Sequence, residues 1–273
     1  MSDMGTILIL GCGNMAGAML DGWLASGIPP ERFAVYDPVS RTYPDGVTAL
    51  AAMPEDGHYD AILLGFKPQD LAALAPAIAP LAGDRTVIMS ILAGVELGTL
   101  RRHFARAEGA VRVMPNLAVA IGKSPVGLAA EGLSAERSDA VFSLFDRLGT
   151  AEWVAEEEFD LFTALAGSGP AFLYRVIDTL AAAAANFGFP RDKALRTAIA
   201  MVEGAAALAA HSADEPATLA DRVASPGGTT RAGLDVLDHD QRLLALMTDT
   251  LGAARDRSAE MTREARGAGV SAN

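Results

Sequence analysis

Six consecutive residues, Ser225-Pro226-Gly227-Gly228-Thr229-Thr230, bring together groups suited to holding an anion. Pro226 has no N–H to lose and fits the first turn of a helix. Ser225 before it is expected to act as N-cap, and Leu234 and Leu237 supply an apolar face beyond. Gly227 and Gly228 would then leave backbone N–H groups uncovered at the positive end of that helix, where a carboxylate is favoured. The hydroxyls of Thr229 and Thr230 stand beside them. Thr230 is the candidate to bond a further polar atom of the ligand. An ordinary Gly-containing turn has the same composition, so the segment gains weight only from what stands at the other end of the chain.

There, Gly11-Cys12-Gly13-Asn14-Met15-Ala16 follows an apolar run and opens a helical stretch. This is the G-x-G-x-x-A form of the dinucleotide fingerprint. Gly11 allows the tight turn, Gly13 admits the pyrophosphate to backbone N–H groups, and Ala16 lets helix and sheet pack closely. Asp37 ends the second expected strand, where an acidic side chain bonds the adenine ribose and repels a 2′-phosphate. Arg41 is close enough in sequence to reverse that preference, so NADH and NADPH both stand as cofactors. Cys12 reads as a small buried residue rather than a reactive thiol. Three further segments fall at the C-terminal ends of expected strands, where such sheets bind ligands: Phe66-Lys67-Pro68, Ser90 to Ala93-Gly94, and Met114-Pro115-Asn116. A solvated lysine and a turn asparagine are the ordinary readings of Lys67 and Asn116. Their shared placement makes them candidates for the nicotinamide side.

The elements that must position these residues follow from periodicity. Short β-rich runs at 6–10, 33–36, 61–65, 86–90 and 110–113 alternate with helical stretches at 15–25, 69–79 and 96–106, which predicts a doubly wound parallel sheet covered by helices. Two further β-like pieces, 126–129 and 152–154, flank a helix over 134–148. Beyond Phe159 strand signals vanish and Ala-rich helices take over. The expected domains are therefore 1–157, binding the dinucleotide, and 158–273, all-helical. Ala- and Gly-rich helices approach closely and often close an obligate dimer; a self-contained bundle is the alternative.

Composition removes several function classes. The 273 residues are 51% hydrophobic with a net charge of −12, which suits a full core and opposes a nucleic-acid partner. A single cysteine fits a reducing compartment. With no secretory signal and no long apolar run, a soluble cytoplasmic protein without membrane partners is expected. Four scattered histidines give no metal-ligand spacing.

In this order the pieces resemble the pyrroline-5-carboxylate reductases, which complete proline synthesis. The resemblance is carried by Gly11–Met15, Lys67-Pro68-Gln69, Val113-Met114-Pro115-Asn116, Gly167-Ser168-Gly169-Pro170-Ala171 and Ser225–Thr230, extending through Gly233-Leu234. It implies a Rossmann domain, a helical dimerisation domain, NAD(P)H as hydride donor and a cyclic imino acid as substrate. The substrate carboxylate would lie at Ser225–Thr230, with Glu156 and Ser168 as further substrate positions. Ala118, Ala166 and Phe172 depart from the family's usual Pro, Ser and Tyr. The chemistry agrees: reducing a cyclic imine needs a hydride, an anchored carboxylate and a protonated nitrogen. The iminium forms in solution, so no strong general acid is demanded.

Two other readings compete. A β-hydroxyacid dehydrogenase shares the architecture but expects a catalytic lysine in the helical half, where Lys193 is the only lysine after residue 160. A non-catalytic dinucleotide-binding protein would leave Ser225–Thr230 without a purpose.

Overall fold

In β1 (Ile7–Leu10) every residue is buried, as a strand covered on both faces requires. Ile7 and Ile9 enter one core with residues of α1 (Asn14–Ala25), while Leu8 and Leu10 enter another on the opposite face. The computed structural model describes residues 4–39 and 42–270; Arg41 lies outside them. The chain continues through β2 (Phe33–Tyr36), β3 (Thr48–Ala49), β4 (Ala61–Leu64), α2 (Leu71–Ile78), β5 (Val87–Ser90), α3 (Leu97–His103) and β6 (Gly109–Met114). It then forms β7 (Ser124–Glu131), α4 (Ala135–Asp146) and β8 (Gly149–Trp153). Among the described residues these strands make one sheet in the order β3-β2-β1-β4-β5-β6-β7-β8.

Strands β1 to β6 are parallel, with Ile7 beside both Phe33 and Ala61. The chain winds outward from β1 to β2 and then returns to β4 on its other side. The order therefore reverses between β1 and β4, which opens a crevice at their carboxyl ends. β7 runs antiparallel to β6 and carries β8 parallel to itself, an orientation the sequence left open for these two pieces. The cause is local: only a short 3₁₀ segment, Leu117–Ile121, joins β6 to β7, and a parallel return needs a longer crossover. On the α1 and α4 face, Trp23 stacks on Phe33 at 5.6 Å and donates Nε1–H to the Leu144 carbonyl at 2.9 Å. Leu71, Ile78, Leu100 and Phe104 fill the α2 and α3 face.

After β8 come α5 (Phe159–Phe162), a π-helical turn (Thr163–Gly167), α6 (Gly169–Asn186), α7 (Arg191–His211), α8 (Pro216–Arg222), α9 (Thr229–Asp238) and α10 (Arg242–Val270). Two compact units result: Met1–Ser168 with Ala253–Asn273, and Gly169–Gly252. The first runs past the loss of strand signals because Phe159 of α5 is buried in the α2 and α3 core. It also takes back the end of α10.

In the second unit only Ala181, Ala194, Ala198 and Ala224 are buried, whereas Tyr174, Phe187, Leu208 and Leu244 are exposed, Phe187 to 94%. A helical unit with so little interior of its own leaves a contiguous need for cover, which association supplies.

Candidate active site

The dinucleotide half is built where β1 meets α1. Gly11 holds φ +81, and a Cβ there would lie 2.7 Å from the Phe66 nitrogen, so only glycine serves. Gly13 is the N-cap of α1 with no side-chain cap, and the N–H groups of Asn14, Met15 and Ala16 have no intrahelical acceptor. Space beside Gly13 is open: an added Cβ would meet no atom within 4 Å. Gly13 and Asn14 are exposed, whereas Cys12 and Ala16 are buried. An uncapped helix start with an open glycine at its tip fits a pyrophosphate, and the residues present therefore suit a dinucleotide. Gly65, which sequence reading passed over, completes the cradle. A Cβ on it would lie 2.3 Å from the Gly11 carbonyl and 2.9 Å from the Ala16 Cβ. The signal was available in a glycine directly following an apolar strand.

Asp37 follows β2 and reaches back to the loop: Oδ2 accepts the Cys12 N–H at 2.5 Å and Oδ1 the Val39 N–H at 2.8 Å. Lys67 follows β4, exposed, as the residue before the 3₁₀ turn Pro68–Asp70. Ser90 ends β5, buried, its Oγ accepting the Leu92 N–H. Ala93 and Gly94 come next, Gly94 at φ +75. Asn116 is turned into the protein. Its Oδ1 accepts the Ala118 N–H and its Nδ2 donates to the Ala166 carbonyl, both at 2.9 Å. That second bond ties the Met114-Pro115-Asn116 motif to the π turn, whose end at Ser168 donates its N–H to the Thr163 carbonyl at 3.0 Å.

Glu156 is engaged within the protein. Its Oε1 accepts the Leu97 N–H, the first of α3, at 2.8 Å and pairs with buried Arg112 at 3.2 Å. Burial pulls the Arg112 pKa down, and Glu156 opposes that shift. The guanidinium also lies 4.1 Å over the Phe159 ring. Neighbouring Glu96 accepts a fork of two bonds from Arg266 of α10, which holds its carboxyl below the usual range. Arg112, Glu96 and Arg266 carried no sequence signal, because charged residues in ordinary helices and strands look alike whether paired or solvated.

In the second unit the Ser225–Thr230 segment corrects two expectations, the start of the helix and an uncovered Gly228 N–H, which the Ser225 carbonyl engages. Ser225 is not the N-cap and Pro226 does not open the helix. Gly228 is the N-cap and α9 starts at Thr229. Ser225 to Gly228 form a turn closed by the Gly228 N–H to the Ser225 carbonyl at 2.9 Å, with Pro226 second and Gly227, at φ +70, third. Proline followed by a positive-φ glycine is the demand of a type II turn, which is why the helix waits three residues. The N–H groups of Thr229, Thr230 and Arg231 then lack intrahelical acceptors, and both Thr residues are exposed. No side chain caps this end. Lys193 lies in the exposed first turn of α7 with Nζ 5.2 Å over the Phe189 ring, an ordinary surface placement.

A switch-point cradle of this kind defines a dinucleotide-binding protein of the Rossmann class. A family description, pyrroline-5-carboxylate reductase dimerisation, matches residues 156–261. Pyrroline-5-carboxylate reductase 2 of Bacillus subtilis is 35% identical over 98% of this chain and 99% of its own. The Pseudomonas aeruginosa pyrroline-5-carboxylate reductase is 32% identical over 94% and 97%. The solved structure of a pyrroline-5-carboxylate reductase from Coxiella burnetii superposes with a TM-score of 0.86 at 26% identity, covering 95% of this chain and 99% of that one. The chain belongs to the pyrroline-5-carboxylate reductase family. Its helical part matches that family's dimerisation domain, and homo-oligomer formation accords with the uncovered face of the second unit.

Proposed function

We propose that this protein reduces 1-pyrroline-5-carboxylate to L-proline with NADH or NADPH, residues 1–157 binding the dinucleotide and 158–273 serving dimerisation and substrate binding. The observation that carries the reading is the presence on one chain of two uncapped helix starts, at Gly13 and at Gly228, each preceded by a glycine-dependent turn. The first suits a pyrophosphate and the second a carboxylate. When bound, the nicotinamide supplies a hydride. Gly11, Cys12, Gly13, Asn14 and Met15 hold the pyrophosphate, Asp37 the ribose, and Lys67, Pro68, Ser90, Ala93, Gly94 and Asn116 line the remainder.

At α9 the N–H groups of Thr229 and Thr230 hold the imino acid's carboxylate, within the turn of Ser225, Gly227 and Gly228. The Thr230 hydroxyl bonds the ring nitrogen and keeps the iminium oriented. Ser168 completes the substrate side, and Glu156 acts on the site through the α3 segment it caps. The carboxylate is the anchor that excludes simple imines, and Thr230 distinguishes a ring nitrogen from a hydroxyl carbon.

The helices from Phe162 to Ala210 pair between two chains, supported by their exposed apolar residues. A cytoplasmic location is supported by the single, buried cysteine and by the lack, among the described residues, of a helix long and apolar enough to cross a membrane.

Steady-state oxidation of both reduced cofactors with 1-pyrroline-5-carboxylate, set against oxidation of β-hydroxyacids, tests the reading. Turnover with the imine alone is expected. Turnover of hydroxyacids alone would move the protein to the dehydrogenase class, and tight cofactor binding with no turnover would make it a sensor.

A further inference from the structure

The segment from Ser90 to Leu97, which joins β5 to α3, is held at its rear by residues far along the chain. Glu156 caps Leu97 at 2.8 Å. Arg266, near the end of α10, grips Glu96 with Nε to Oε2 and a terminal nitrogen to Oε1, each at 2.5 Å. A planar guanidinium meeting a carboxylate by two parallel bonds fixes orientation as well as distance. Between them Gly94 lies directly against the backbone of α10: a Cβ there would stand 2.8 Å from the Met261 carbonyl oxygen. Ser258 Oγ donates to Asp160 Oδ1 at 2.7 Å and seats the same helix farther up.

Elsewhere α10 does not lie flush. A cavity of about 460 Å³, lined by Pro68, Leu71, Ala93, Val95, His103 and Met261 among others, opens between α10, α2 and α3. Pro68 and Ala93 border this space; Leu92 and Val95 root the loop in the core, and Gly94 and Glu96 carry its contacts with α10. A glycine at positive φ with space behind its neighbour permits other backbone conformations; a strap selects one of them.

We propose that Arg266 and Glu96 are positioning residues for the reduction, the end of α10 acting as a strap that holds the Ser90–Gly94 loop in its cofactor-binding conformation. The proposal rests on the reading above that this loop lines the cofactor. If only a fraction of molecules holds the competent loop, apparent cofactor affinity falls by that fraction. Loosening the strap therefore raises the Kd and KM for the cofactor and spares the KM for the imine.

Fluorescence titration with NADPH, together with steady-state kinetics on the full-length protein, tests this. Arg266→Ala is expected to raise the cofactor Kd and KM by roughly three- to tenfold, with kcat changed less than twofold and imine KM unchanged. Arg266→Lys should recover only part of the loss, because an ammonium cannot make the fork. The charge-exchanged pair Glu96→Arg with Arg266→Glu should recover more than either single change. Arg255→Ala removes a pair with Asp256 of the same helix, away from the cavity, and should leave the cofactor Kd unchanged.

Ala93→Val separates the premise from the proposal. If it leaves cofactor Kd unchanged, the loop does not line the cofactor and the assignment beneath the strap is wrong. If Ala93→Val weakens cofactor binding while Arg266→Ala does not, the strap alone is overturned. Should Arg266→Ala not fold, Glu96→Gln carries the same test, and an unaltered cofactor Kd in that variant rejects the proposal.

Discussion

The backbone N–H of Cys12 donates to Oδ2 of Asp37 at 2.5 Å, joining the middle of the glycine loop to the residue after β2. With Val39 on its other oxygen, this carboxylate stabilises the loop in addition to the ribose contact proposed for it. Charge and scaffolding are thus combined in one side chain, and substitutions divide them.

Asp37→Ser removes both roles. The NADPH to NADH ratio of kcat/KM is expected to rise at least about tenfold, equivalent to about 1.4 kcal/mol, while affinity for both cofactors falls as the loop loosens. Asp37→Asn retains an acceptor for Cys12 and should shift the ratio with less overall loss. An unchanged ratio in both variants would show that Asp37 does not face the ribose.

Gly13 and Gly65 separate binding from folding. Gly13→Ala adds a methyl into open space at φ −70, so melting temperature should hold while cofactor Kd rises by at least about tenfold. Gly65→Ala places its methyl against the Gly11 carbonyl and should lower stability by about 1–3 kcal/mol as well as weaken cofactor binding. Thermal melts alongside NADPH titration check both. A stability loss at Gly13 equal to that at Gly65 would contradict the open cradle.

The legible parts of the chain were those set by period and by glycine. The Phe33–Tyr36 strand was read to the residue because a short run rich in aromatic and β-branched residues, with Phe33 and Val35 on the buried face, stands between turns. The buried run Ile7–Leu10 was clear because a central parallel strand is apolar on both faces. The late helix was misplaced at its start because Ser-Pro reads equally as an N-cap pair and as the first half of a type II turn; only the φ of Gly227 distinguishes them. The Arg112–Glu156 and Glu96–Arg266 pairs depend on residues 44 and 170 positions apart, beyond the reach of local pattern.

Thr230→Val keeps the shape of the side chain and removes its hydroxyl. Loss of a bond to the substrate nitrogen should lower kcat/KM roughly five- to 150-fold, corresponding to about 1–3 kcal/mol for an unpaired polar group, with cofactor Kd nearly unchanged. A capping role predicts the reverse, a lower melting temperature with normal kcat/KM. Kinetics and melts on the same preparation decide between them.

Glu156→Ala leaves the Arg112 guanidinium, 7% exposed, without its carboxylate. The expected cost is about 3 kcal/mol, at the low end for a broken buried pair because Glu156 is itself partly exposed. Chemical denaturation measures it. Full stability with abolished turnover would instead assign Glu156 a direct contact with substrate.

Hydride transfer to the imine is tested most directly by isotope. The protein is incubated with 1-pyrroline-5-carboxylate and NADPH, or NADH, carrying deuterium at both nicotinamide C4 positions, and the product is analysed by mass spectrometry and NMR. L-Proline bearing one deuterium, on the ring carbon formerly double-bonded to nitrogen, is the expected product. Recovery of unreduced imine with either cofactor, or of proline without deuterium at that carbon, would contradict hydride transfer to the imine.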